Sequence, residues 1–311
     1  MIRSRRLLRA AGLALALLAA LALTATALLG WVEGVQRERF PAPGQPVELG
    51  DGRVIHLRTW GTDNPGPTII LDAAASLPSS AWAWIAQDLA QDHRVVAYDR
   101  PGMGWSSGGS KPRDARSAAE ALGAALAKAG IEPPYVVVGH SYGGFSARMF
   151  AHLNPGSVVG IALLDTTHED GGGAEAFAAF YRARAVQGDL GLFQLVAQPN
   201  GLAGLPPAEA AAGHVVGHWR SHLDATAAEL EAWPISAQQL RDADDLRDLP
   251  LLVVAAYGSD AQYDLQRDLA TLSTNSRYVE LDVWHTSMLF NADHAALVAA
   301  EIRQFGAALG E

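Results

Sequence analysis

The stretch "PPYVVVGHSYGGFSARMF", Pro133 to Phe150, decides how this chain is read. Tyr135 to Val138 is a continuous apolar run, mostly β-branched, behind a proline pair, which is the pattern of a short buried strand. From Phe145 to Leu153 the apolar spacing shifts toward that of a helix. Ser141 falls on the turn between them, with Gly139 and Gly143 two positions to either side, giving G-x-S-x-G. A sharp strand-to-helix turn drives the neighbouring Cβ positions together, so hydrogen is the side chain tolerated there. The same turn strains the serine backbone and lifts its hydroxyl above the sheet. The expectation is a nucleophile elbow for acyl-transfer chemistry, and the rest of the chain is read against it.

Strand-like runs recur outward from the elbow with helical stretches between them, the signature of a mostly parallel sheet covered on both faces. Val54–Arg58, Thr68–Leu71, Arg94–Tyr98, Val158–Leu164, Leu251–Ala255 and Arg277–Leu281 are the other strand candidates. Ala81–Ala90, Ser117–Ala129 and Ala295–Ala308 read as helices. Between Asp165 and Leu251 the rhythm breaks: Ala174–Ala185, Pro207–Ala225 and Ile235–Leu246 are helical in pattern and no strand is legible. This predicts an α/β core over 47–165 and 250–311, with a helical cap over 166–249 above the edge where open α/β sheets bind ligands.

A serine hydroxyl needs a base within hydrogen-bond reach, itself oriented by a third group. The base is expected in the loop between the last strand and the last helix, where His285 stands; His294 comes too late, at the start of the helix. The acid is expected after the penultimate strand, where "LLVVAAYGSDAQYD" offers Asp260, with Asp264 a turn later. Asp165, at the end of "GIALLD", is the rival to Asp260. Two backbone N–H groups must meet the oxyanion of the tetrahedral intermediate. Tyr142, after the nucleophile and at a helix N-terminus, supplies one; the loop "LDAAASLPSSAW" supplies the other, from Ala75 or its neighbour Ala74.

Of 311 residues, 49% are hydrophobic and 18% charged, which excludes a disordered chain and leaves room for one large α/β domain. The formal charge of −10, without any basic run in the domain, argues against nucleic acid as a partner. Cysteine is absent, so disulfides and thiolate chemistry are excluded. Three patterns fail as cofactor or metal sites. Gly102-Met103-Gly104 follows a strand, but Ser107 stands where a dinucleotide fingerprint needs its third glycine. His214, His218 and His222 would share one helix face, but Val215 replaces the glutamate of a zinc-protease helix. No glycine-lysine phosphate loop occurs. No cofactor and no metal are expected.

The N-terminus carries Arg3, Arg5, Arg6 and Arg9 over a basic stretch 1–9, then an uncharged, Ala- and Leu-rich segment over 10–32. About 20 apolar residues suffice to cross a bilayer. Ala25-Thr26-Ala27 could serve as a signal cleavage site, although Leu28, Leu29, Trp31 and Val32 prolong the apolar run beyond it. Anchor and signal peptide imply one topology, with the arginines in the cytoplasm and the domain outside it. The linker is expected over 33–46, with "PAPGQP" as a stiff spacer.

From Phe40 to its C-terminus the chain resembles the α/β-hydrolase superfamily. Besides GHSYGG, "VVAYDRPGMGWS" (Val95–Ser106) is similar to the strand and Gly-rich turn that precede the elbow in many esterase-like members. "WHTSMLFNADHAALVAAEI" (Trp284–Ile302) resembles their block of catalytic histidine and closing helix. "FPAPG" after an apolar segment is similar to a bacterial membrane-anchored branch. The resemblance implies Ser141, His285 and an acid as a triad. The chain departs from the pattern in two places: Asp72-Ala73-Ala74 stands where many relatives have His-Gly, and Ala261 falls three residues after Gly258, where many place the acid. Epoxide- and haloalkane-cleaving members carry aspartate at the nucleophile position, so Ser141 points to carboxylic esters cleaved through an acyl-enzyme. The Ala- and Leu-rich cap with Trp219 and Trp233 suggests a small ester with an apolar acyl or aromatic group. Amide or lactone cleavage, acyl transfer, and a catalytically silent membrane-tethered binding module are the alternatives.

Overall fold

The computed structural model describes residues 2–109, 112–189, 202–243 and 246–309. Eight strands form one sheet in the order β1-β2-β4-β3-β5-β6-β7-β8. They are β1 (Gln45–Glu48), β2 (Val54–Trp60), β3 (Thr68–Asp72), β4 (Val95–Tyr98), β5 (Tyr135–His140), β6 (Val158–Leu164), β7 (Leu251–Ala255) and β8 (Ser276–Glu280). The β1–β2 and β2–β4 pairs are antiparallel, and every other pair is parallel. The strand order reverses between β3 and β5, so their C-terminal ends open the crevice where sheets of this kind take ligands.

All six residues of β5 are buried, because both faces of the sheet are covered. Side chains alternate across a strand. Tyr135 and Val137 pack with α3 (Ala115–Lys128) and α4 (Gly143–Leu153); Val136 and Val138 pack with α2 (Ala83–Leu89) and α11 (Ala292–Ala308) on the other side. Each valine buried in this way contributes about 1.5–3 kcal/mol. That is why a continuous β-branched run, rather than an alternating one, marks the central strand.

Among the described residues, four helices stand between β6 and β7: α5 (Ala174–Asp189), α6 (Pro207–Val216), α7 (Arg220–Glu231) and α8 (Trp233–Arg241). Within the expected cap, 190–201 and 244–245 lie outside the described residues; the expected helix Ile235–Leu246 is shorter, ending at Arg241. The run Pro207–Ala225 is two helices, interrupted at Gly217, His218 and Trp219. His214 and His218 therefore face each other with ring centroids 4.6 Å apart, while His222 belongs to α7 and is fully buried. The three do not share a helix face.

The N-terminal helix, α1 (Ile2–Arg39), is longer than the expected span. Gly12–Arg39 has mean hydropathy 2.3 in its most apolar window, and none of that window is buried in the fold. The expected linker over 33–46 contracts to 40–44. Its first part is helical, and Gln45 and Pro46 pair with Leu57 and His56 in the edge strand β1.

Candidate active site

Ser141 follows β5 directly and adopts φ 53°, in the left-handed region. The strain has a steric origin in its neighbours. A Cβ on Gly139 would lie 2.7 Å from the Gly143 oxygen, and one on Gly143 would lie 2.3 Å from the Asp72 oxygen. Packing that tight between the elbow and the end of β3 leaves room only for hydrogen. Ser76 (φ 64°) and Asp165 (φ 43°) are also left-handed. Three of the four non-glycine residues with positive φ among those described thus sit at this one edge. Each such conformation costs about 1–3 kcal/mol and persists only where the surroundings impose it.

His285 lies in the loop after β8, where its ring Nδ1–H donates to Asp165 Oδ2 at 2.5 Å. A carboxylate only accepts, so Nδ1 carries the proton of this contact, and in the neutral ring that leaves Nε2 bare, the tautomer a general base requires. Asp165 directly follows β6, and its second oxygen accepts the Ala256 N–H at 3.3 Å. The Ser141 N–H donates to the Leu164 oxygen at 3.2 Å and the Thr167 N–H to the Ser141 oxygen at 3.1 Å, so the elbow is stitched to the chain on both sides of Asp165. His140, next to Ser141, stacks on the His285 ring at 4.5 Å between centroids and donates Nε2–H to the His285 carbonyl at 3.1 Å. The Asp165–His285 pair therefore stands beside the Ser141 elbow at the C-terminal edge of the sheet, with no hydrogen bond between the Ser141 hydroxyl and His285 among the described residues. Burial holds the His140 pKa well below the ordinary histidine value, with the charge of His285 acting in the same direction. His140 thus stays neutral if its neighbour becomes cationic.

Asp260 is not part of this cluster. Ser259 accepts the Gln262 N–H in a capping box, which makes Asp260 the exposed first residue of α9 (Asp260–Ala270). A carboxylate there favours the helix N-terminus. Asp264 is likewise on α9, paired with Arg267 at 3.1 Å. The acid at hydrogen-bond distance from His285 is Asp165, one strand earlier than expected.

Tyr142 caps α4, and its N–H has no acceptor among the described residues; the same is true of the Ala75 N–H. Both follow the C-terminal ends of β5 and β3, at the crevice between these strands. The Ala74 N–H likewise has no acceptor among the described residues, while its carbonyl accepts the Leu77 N–H at 3.2 Å and Arg100 Nη2 at 3.0 Å.

The groups that hold the Ala75 loop are not evident from motif spacing. Arg100, 3% exposed, donates to Asp72 Oδ1 (2.5 Å), the Ala73 oxygen (2.5 Å), the Ala74 oxygen (3.0 Å) and both oxygens of Glu229 on α7 (2.6 and 3.0 Å). Asp72 is also bonded by the hydroxyls of Tyr98 and Ser146. Burial works against the charged form of Arg100, but Glu229 and Asp72 outweigh it and hold its pKa well above the ordinary value. Burial raises the Glu229 carboxyl despite that cation. Two further cap side chains reach the loop: His222 Nε2 donates to the Ser76 oxygen at 2.9 Å, and the Tyr181 hydroxyl donates to Ser76 Oγ at 2.6 Å. The His222 Nδ1 accepts the Gly104 N–H at 2.9 Å, which requires the neutral ring; burial lowers its pKa to about 4. Asp99 anchors the loop's far end through the Ser79 N–H at 2.6 Å. Burial would raise that carboxyl, but His56 and the Ser79 and Trp105 N–H groups hold it below the usual range. Among the described residues no group of three or more His, Cys, Asp or Glu side chains is placed to hold a metal ion.

A sequence model of the alpha/beta hydrolase fold family matches residues 73–198, which include the elbow. The enol-lactonase from Burkholderia xenovorans LB400 superposes with a TM-score of 0.64 at 23% identity, covering 84% of this chain and 99% of that one. A thermophilic esterase from Thermogutta terrifontis gives 0.64 at 17% identity over 85% of this chain and 98% of that one. Both are likenesses of fold. In sequence the chain is 32% identical to the uncharacterized protein YqjL of Bacillus subtilis (strain 168) over 115 residues, 37% of this chain and 45% of the relative. The matches span less than half the length of such curated relatives. With the sheet order and the elbow at the C-terminal end of β5, these matches show that the chain has the α/β-hydrolase fold.

Proposed function

We propose that this hydrolase cleaves carboxylic esters through an acyl-enzyme on Ser141, with His285 as general base and acid, Asp165 as its orienting carboxylate, and the Tyr142 and Ala75 N–H groups as the oxyanion hole. The observation that carries the reading is the His285 Nδ1–H donated to Asp165 Oδ2 at 2.5 Å beside a serine held at φ 53°. In the first half-reaction Ser141 Oγ attacks the ester carbonyl while His285 Nε2 takes its proton. Charge developing on the carbonyl oxygen is met by the two N–H groups, one of them at the positive end of α4. Collapse of the tetrahedral intermediate expels the alcohol, which receives the proton from Nε2. Water then attacks the acyl-enzyme by the same route, releasing the acid and restoring Ser141. Asp165 keeps its charge throughout and stabilises the imidazolium.

The long apolar α1 supports a second element of the proposal: the chain is anchored in a membrane by its N-terminal helix, with the catalytic domain outside the cytoplasm. The test of the chemistry is Ser141→Ala on p-nitrophenyl acyl esters of rising chain length. The variant is expected to lose at least about 10⁴-fold in kcat while keeping its fold. Turnover at the wild-type rate would refute the assignment.

A further inference from the structure

We infer that the cap is the membrane-facing side of this protein: the outer face of α5, with Phe177 and Phe180, lies on the bilayer that α1 spans, and the site beneath draws its ester from that bilayer. This rests on the anchored-hydrolase reading and adds to it an orientation and a substrate class, lipophilic esters dissolved in the membrane.

The C-terminal end of α1 is clamped to the domain rather than tethered loosely. Arg37 donates to Ser221 Oγ at 3.1 Å, lies 4.0 Å over the Trp219 ring, and is itself held by Glu33 at 2.8 Å. One turn further on, the Phe40 carbonyl accepts Trp105 Nε1–H at 3.0 Å, and the Trp105 and Trp219 rings meet edge-on at 6.2 Å. Between Arg39 and the first strand residue, Gln45, lie five residues, which span at most about 17 Å even when fully extended. The domain thus has little freedom to turn another face toward the bilayer.

The elements nearest this exit belong to the cap. α1 packs against α5, and α5 packs along α7, whose first turn carries Ser221. On α5 the small residues Ala174, Ala178 and Ala185 turn inward, while Phe177 and Phe180, three positions apart, are 61% and 53% exposed. Phe180 is flanked by the Tyr181 ring at 5.3 Å and the Arg184 guanidinium at 5.7 Å. Single exposed apolar residues are ordinary on soluble surfaces. A phenylalanine pair bordered by tyrosine and arginine, beside the exit of an apolar helix, has the composition of a segment lying in the interface. This face is one side chain away from the chemistry, because Tyr181 holds Ser76 in the loop that presents Ala75.

The absence of cysteine permits a direct test on the full chain reconstituted in phosphatidylcholine vesicles. Single cysteines are introduced as Leu21→Cys in α1, Phe180→Cys in α5, and Lys128→Cys at the opposite, exposed end of α3. Each is labelled with an environment-sensitive fluorophore, and quenching by nitroxide-bearing lipid is measured. Strong quenching is expected at 21, and several-fold stronger quenching at 180 than at 128. Quenching at 21 with positions 180 and 128 alike would overturn the inference and leave the anchor standing. No quenching at 21 would remove the anchor and the inference with it, while hydrolysis by Ser141 would be unaffected.

Discussion

Replacing Arg100 by methionine keeps an unbranched apolar stem but removes the guanidinium, leaving the carboxylates of Asp72 and Glu229, 1% and 3% exposed, without their cation. Breaking a buried ion pair from one side costs about 3–5 kcal/mol, because the remaining charge stays desolvated. Tyr98 and Ser146 still satisfy part of Asp72, and Glu229, already raised by burial, can take up a proton, so the lower end of that range applies. For a domain of this size about 3 kcal/mol corresponds to a fall in Tm of roughly 10 °C. Catalysis should suffer separately, since Arg100 also holds the carbonyls of Ala73 and Ala74 just before the Ala75 N–H. Losing one oxyanion donor costs about 10²–10³ in kcat, and KM should change far less. The assay is calorimetry on the detergent-solubilised chain together with steady-state kinetics on a short p-nitrophenyl ester. Adding Asp72→Asn and Glu229→Gln to Arg100→Met should recover much of the lost Tm, because the penalty lies in the unpaired charges. An Arg100→Met enzyme with both Tm and kcat close to wild type would refute the reasoning.

Asp165→Asn should lower kcat by about 10⁴-fold, because an amide can present its N–H to His285 and stabilise the wrong tautomer; Asp260→Asn, at the exposed start of α9, should stay within a few-fold of wild type. Parallel kcat measurements on the two variants decide between the carboxylates. His222 makes stability depend on acid: its folded pKa of about 4 lies below the ordinary 6.5, so the unfolded chain binds the proton first as pH falls. Stability from this group is complete above about pH 6.5 and is lost progressively down to about pH 4, amounting to roughly 3 kcal/mol. A His222→Gln variant should show a flatter Tm-against-pH curve over that window, and an unchanged slope would contradict the assignment.

Much of the frame was legible because it is written in local patterns. The β-branched run of β5, the glycines around Ser141 and the histidine between the last strand and helix all follow from short-range sterics and chain order. The position of the acid was less legible. Asp165 ends a strand as many capping aspartates do, and only the left-handed turn it adopts aims its carboxylate at His285. Asp260 follows the more regular pattern, but Ser259 and Gln262 commit it to a helix N-terminus. β1 was hidden inside a proline-rich spacer because an edge strand tolerates Pro46 where a central strand would not. The Arg100–Glu229 bridge joins residues 129 positions apart, which no local pattern reveals. "DRPGMGWS" marked the turn without indicating that its arginine reaches both the Ala75 loop and the cap.

The central claim is that Ser141 becomes covalently acylated with the help of His285. The most direct measurement is mass spectrometry of the full chain after brief exposure to a fluorophosphonate, followed by peptide mapping. A single adduct on the peptide containing Ser141 is expected, formed orders of magnitude more slowly in His285→Ala and absent in Ser141→Ala. A folded, ester-cleaving chain that forms no adduct, or forms it on another residue, would contradict the account.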